Sequence, residues 1–163
     1  MKRVLPIVIA FAVSTIGVAA QEKQEKRPLV IQAFTVANGI ELPYDMKLMQ
    51  IQLIAELKVE LGKEFSVMSE PPSTPEGEVY TLDGVITGWR PGNAAKRMFV
   101  GMGSGREASD IEFQVTDRSG KKVVDRKETI RTNFYSQGAG SSGTLAHPVA
   151  LKVADRIKEA KLK

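Results

Sequence analysis

The sequence predicts an α+β domain built as a two-layer sandwich, with two helices on one face of a mainly antiparallel or mixed sheet in the order β-α-β-β-β-β-α. Two segments carry apolar residues at helical spacing, and two others alternate with a period of two. In the alternating segments one side is apolar and the other polar, which fits a sheet covered on one face only.

The first strand is expected over Leu29 to Val36, an apolar and β-branched run too short for an ordinary helix and ended by Asn38-Gly39. From Asp45 to Leu61 the period becomes helical. Met46, Met49, Leu53, Ile54, Leu57 and Leu61 share a stripe, Asp45 stands where a helix N-cap is favoured, and Gly62 where a left-handed C-terminal cap is favoured. The methionines read as core filler rather than as a pliable binding surface.

Phe65 to Met68 is expected as a short strand, and the proline-rich stretch from Glu70 to Glu78 as a loop. Val79 to Trp89 alternates next, with Tyr80, Leu82 and Ile86 on one side and Thr81, Asp83 and Thr87 on the other. Glu107 to Thr116 alternates too, placing Ile111, Phe113 and Val115 inward and Asp110, Glu112 and Gln114 outward. The turn formers Asp117-Arg118-Ser119-Gly120 then lead into a partner strand from Val123 to Phe134, so this region is a β-hairpin. After a Gly/Ser-rich loop from Gln137 to Gly143, Val149, Ala150, Val153, Ala154 and Ile157 mark a final amphipathic helix. Thr144 is placed to cap it, and Pro148 falls in the first turn, where a missing N–H is tolerated.

Residues 1–20 have the zones of a cleavable secretion signal: Lys2 and Arg3, an apolar stretch from Val4 to Val18, then Ala19 and Ala20. The expected cut is before Gln21, followed by a charged lead-in over 21–27 and one α+β domain over 28–163. The apolar stretch is shorter than the roughly 20 residues a spanning helix needs, so no transmembrane anchor is expected after cleavage. The expected address is the periplasm, with secretion as the alternative.

The chain has a formal charge of +4, and Lys2 and Arg3 leave with the signal. The mature domain is therefore nearly balanced in charge and has no nucleic-acid footprint. It has no cysteine, which excludes thiol catalysis, Cys-ligated zinc and an acylated N-terminal Cys.

The stretch from Gly88 to Arg106 is the least ordinary. Gly101, Gly103 and Gly105 alternate beneath a positive rim of Arg90, Lys96, Arg97 and Arg106, beside the turn Pro91-Gly92-Asn93. Backbone freed of side chains and flanked by arginine suits an anion, yet neither the dinucleotide fingerprint nor the P-loop pattern is present. Tight packing where the chain enters the hairpin explains the glycines more simply, though not the basic residues around them. His147, the only histidine, has Ser141 and Ser142 nearby in sequence but no evident acid to orient it, and reads more simply as solvated or capping. Asp110 and Glu112 read as a solvated strand face rather than as a hydrolytic pair.

The segments Leu82-Asp83-Gly84-Val85-Ile86, Pro91-Gly92-Asn93, Arg97, Val100 to Gly105 and the turn from Asp117 to Gly120 resemble a bacterial family of exported proteins carrying the domain of unknown function 4410. The likeness runs from about Pro28 to Lys161 and is most specific over 82–125. The resemblance implies a small envelope protein with no established reaction or cofactor. Many members are lipoproteins, and this chain departs from them in lacking a Cys at the cleavage site.

Together these readings lead to a non-enzymatic periplasmic or envelope binding or assembly domain that meets its partner through the polar sheet face or the glycine-rich loop. Arg90, Asn93, Arg97, Gly101, Gly103, Gly105 and Arg106 are the expected contacts for an envelope protein or an anionic envelope component. The alternative is a small-ligand receptor or hydrolase using the 88–106 loop and His147, and a third reading is a structural protein that oligomerises through a strand edge. No catalytic residue, metal ligand or cofactor is assigned, and the oligomeric state stays open.

Overall fold

The computed structural model describes residues 26–73, 77–92, 107–131 and 145–162. Within them the elements are β1 (Arg27–Ile31), β2 (Thr35–Val36), α1 (Met46–Leu61), β3 (Phe65–Met68), β4 (Tyr80–Arg90), β5 (Ala108–Thr116), β6 (Lys122–Arg131) and α2 (Ala146–Glu159). The strands form one mixed sheet in the order β3-β1-β4-β5-β6. β1 runs parallel to β3 and β4, and β2 is parallel to β4. β4, β5 and β6 form an antiparallel meander. The expected α+β architecture is the observed one.

The period-two pattern decides which sheet face is covered. Leu29, Ile31, Tyr80, Leu82, Ile86, Ile111, Phe113 and Val115 point into a single core, where they meet Met49, Leu53, Leu57 and Leu61 of α1 and Val149, Ala150, Val153, Ala154 and Ile157 of α2. Val30, on the other side of β1, is also buried, so β1 is covered on both faces there, as its continuous apolar run implies. The helices are tied together along their seam by Glu56 to His147 (2.9 Å) and Lys158 to Glu60 (3.3 Å). From α2, Arg156 reaches back to Glu128 of β6 at 2.5 Å.

Three sequence expectations are corrected here. The strand expected from Leu29 to Val36 is broken: β1 pairs with Tyr80 to Leu82 of β4, β2 pairs with Val85 and Ile86, and residues 32–34 leave the ladder between them. The break turns the Phe34 side chain into the core over Gly84, where any Cβ would overlap the ring. Gln50 of α1 closes the gap, accepting from Phe34 N–H at 3.0 Å and donating to the Gln32 carbonyl at 3.1 Å. Buried or half-buried backbone groups need such partners when a ladder is interrupted. Second, Arg27 belongs to β1 rather than to a solvated lead-in, because its guanidinium lies over the Phe65 ring, 4.8 Å from the centroid. Third, Gly62 is not left-handed: its φ is −64°, and the chain leaves α1 in a right-handed turn in which Glu64 N–H donates to the Leu61 carbonyl.

Other local signals act as expected. Asp45 caps α1 by accepting from the Lys47 and Leu48 N–H groups at 2.8 and 3.3 Å. In the β5–β6 turn, Asp117 accepts from Ser119 N–H (2.9 Å) and Lys121 N–H (3.0 Å), while Gly120 takes φ = 82°. Pro148 lies in the first turn of α2. Residues 1–25, which include the expected leader, the loop expected over 137–143, Thr144 and residues 132–134 of the expected hairpin lie outside the described residues.

Candidate functional site

The uncovered sheet face is polar and extensively cross-linked. On it, Gln114 donates to Asp83 at 3.2 Å and Lys127 donates to Glu112 at 2.7 Å. Asp110 is the centre of the row. It receives both guanidinium nitrogens of Arg90, at 2.5 and 2.9 Å, and the Thr129 hydroxyl at 2.6 Å. The hydrogen bonds from Arg90 and then Thr129 hold the Asp110 carboxyl below the usual carboxylate range, and the same contact raises Arg90. Lys127 is likewise raised, chiefly by its bond to Glu112. Cross-strand opposite charges of this kind fix register more than they add stability at an exposed face.

Arg90 ends β4 and Asp110 lies near the start of β5, so their bidentate bridge sits where the chain leaves one strand and enters the next. Trp89 Nε1 donates to Glu107 at 2.9 Å at the same end of the strand pair. A bulge between Ile86 and Gly88 re-aims the strand there, and the buried Ser109 hydroxyl donates to the Gly88 carbonyl at 3.0 Å. Of the expected contact residues, Arg90 is therefore placed on the sheet and engaged by Asp110. Asn93, Lys96, Arg97, Gly101, Gly103, Gly105 and Arg106 lie outside the described residues.

His147 stands at the start of α2 with Nδ1 2.9 Å from a Glu56 carboxylate oxygen. Sequence reasoning found no acid for this imidazole because Glu56 lies on α1, 91 positions away along the chain. Both side chains are partly exposed, at 44 % and 38 %. Ser141 and Ser142 lie outside the described residues. Among the described residues no three His, Asp or Glu side chains gather as a metal set. A cleft of about 490 Å³ at the far end of the sheet from Arg90 is lined by Tyr80, Lys121, Lys122, Lys161 and Leu162, together with the acids Glu78 and Asp117.

The helical layer offers a different kind of surface. Leu48, Ile51 and Val59 of α1 are 43 %, 63 % and 77 % exposed, and Leu151 of α2 is 38 % exposed. Leu48, Ile51 and Val59 recur at three and eight residues, so with the exposed Ala55 they form a second apolar stripe on the side of α1 away from the core. The signal was present in the sequence. It was overlooked because the stronger core stripe accounts for the helical period by itself.

The family model described as a domain of unknown function, DUF4410, matches residues 38–133, which run from the approach to α1 through β6. The chain belongs to the DUF4410 family. The matched part holds both the polar ladder and the apolar stripe of α1, whereas β1, β2 and α2 lie outside it. No curated protein matches the chain. Among solved structures, a PelC dodecamer from Paraburkholderia phytofirmans is similar at 15% identity and a TM-score of 0.50, over 85% of this DUF4410 chain and 88% of that one. The hypothetical protein CT253 from Chlamydia trachomatis is similar at 9% identity and a TM-score of 0.48, over 84% and 94% of the two chains. At 15% identity the PelC likeness is one of fold.

Proposed function

We propose that this chain is a non-enzymatic binding or assembly domain of the cell envelope. The observation that carries the proposal is the outward stripe of α1, where Ile51 and Val59 are more than half exposed although the same helix already buries a full apolar stripe in the core. Large apolar side chains grouped on a surface element cost solubility, and their usual compensation is a partner that covers them. The leader expected over residues 1–20 supports an address outside the cytoplasm. PelC, which shares the fold, is described as a dodecamer, and that precedent supports an assembly role.

The test is a photoreactive residue placed at Ile51 or Val59 in intact cells, with Lys127 on the open sheet face as the control position. Covalent adducts at 51 and 59 but not at 127, together with loss of the cellular phenotype in Ile51→Glu, are the expected result. No adduct at either helix position and a normal phenotype for Ile51→Glu would remove the reading.

A second reading rests on His147 and Glu56, whose 2.9 Å contact orients an imidazole as a general base requires. It makes the chain a small-ligand receptor or hydrolase that uses this pair and the 88–106 segment. His147→Ala discriminates the two. A folded variant with an intact phenotype supports the binding domain, whereas lost function at unchanged melting temperature supports the catalytic or receptor reading.

A further inference from the structure

We infer that the outward face of α1 pairs with the same face of a second copy of this chain, the two helices running parallel about a two-fold axis. The inference rests on the binding-domain reading and names its partner.

The charges of α1 are divided by side. Glu56 and Glu60 lie on the flank toward α2, where they meet His147 and Lys158, and the exposed Asp155 of α2 adds to that side. Lys47 and Lys58 lie on the opposite flank and are exposed. Between the two flanks run Leu48, Ile51, Ala55 and Val59, with Leu151 of α2 at the acidic margin. A face with bases along one edge and acids along the other complements itself. A two-fold axis along the helices sets the lysine edge of each copy against the acidic edge of the other, while the apolar stripes meet between them. An axis perpendicular to the plane of the two helices would make them antiparallel and oppose lysine to lysine. An anionic membrane would be served by unpaired bases on both edges, whereas here Lys158 on the α2 side is engaged by Glu60 and the exposed Asp155 adds an acid beside it.

The size of the face sets the strength expected. α1 is 16 residues, about 24 Å long, and one helix face of that length buries less than the roughly 800 Å² per partner of a stable complex. The pair should therefore be a weak, concentration-dependent dimer, with a dissociation constant on the order of micromolar.

Sedimentation velocity of the mature protein across a hundredfold range of concentration tests this. A reversible monomer–dimer equilibrium is expected. Ile51→Glu, at a site 63 % exposed, should keep the wild-type melting temperature and weaken the dimer roughly tenfold or more by placing a charge in the apolar seam. Lys58→Glu separates the two geometries: it should weaken a parallel pair, because acid then faces acid, and it would strengthen an antiparallel one. A strictly monomeric wild type overturns the inference, as does a dimer indifferent to Ile51→Glu, a ring of higher order, or tighter association of Lys58→Glu. A monomer that binds phosphatidylglycerol vesicles through Ile51 would assign the face to membrane instead. Ile51-dependent crosslinking in cells by a protein that is monomeric when purified would overturn self-pairing while leaving the binding-domain reading in place.

Discussion

At the scale of single residues, Gly84 shows how one missing side chain decides a local structure. Its absent Cβ is the space into which the Phe34 ring turns, so the strand break at residues 32–34 and the glycine are one feature. Gly84→Ala should cost about 1–3 kcal/mol, the usual penalty for overpacking a filled core. In urea unfolding, the double variant Gly84→Ala/Phe34→Leu should be more stable than the sum of the two single effects allows, because the smaller side chain removes the overlap. Simple additivity would show that the ring moves aside without cost. Nothing local in the sequence pairs positions 34 and 84, and the same holds for His147 and Glu56. Sequence reading selected Arg90 and His147 as chemically able residues, but their partners come from other elements: Asp110 from the next strand of the meander, and Glu56 from α1, 91 positions away.

At the scale of elements, the antiparallel meander was the most legible part, because alternation, turn chemistry and strand length all agree there. Asp117, Ser119 and Gly120 form the turn their identities predict, and the outward residues named from alternation do form the polar ladder. That ladder has a pH signature. The Asp110 carboxyl is lowered by Arg90 and Thr129, so its contribution is fully present above the unfolded-state value, about 3.9 for aspartate. It is lost as pH falls through the lower folded value. Asp110→Asn should therefore differ most from wild type near neutral pH and converge with it in acid, as read from urea midpoints between pH 7 and 2.5. A difference that persists unchanged at the acid end would mean that the carboxylate's charge is not what Arg90 and Thr129 recognise. The first strand was less legible, since β-branched composition reports burial but not the break that Gln50 bridges.

At the scale of the whole molecule, the two helices follow strands of the same sense and return over one sheet face, leaving the opposite face to the ladder and the far side of α1 to its apolar stripe. Such a molecule presents two unlike surfaces, one polar and internally paired, the other apolar with sided charge. The address belongs to this scale as well. Mass spectrometry of the protein recovered from cells should find Gln21 at the N-terminus, possessing either its free amine or the cyclised form, as the three zones of residues 1–20 predict. Recovery of the full-length chain from the cytoplasmic fraction would remove both the export expectation and the envelope setting of the proposed function.

Element type, the inward and outward sides of the meander, the helix cap at Asp45 and the left-handed turn at Gly120 were determined by the sequence itself, because each depends on residues within a few positions of one another. Tertiary structure alone decided the strand order, the parallel pairing of the broken first strand with β4, the bridges Arg90–Asp110 and His147–Glu56, and the exposure of Leu48, Ile51 and Val59. The physical reason is range. Backbone preference and periodicity act between near neighbours and so mark the longer stripe of α1 as its core face, whereas whether the second stripe is also covered depends on where the sheet and α2 come to lie.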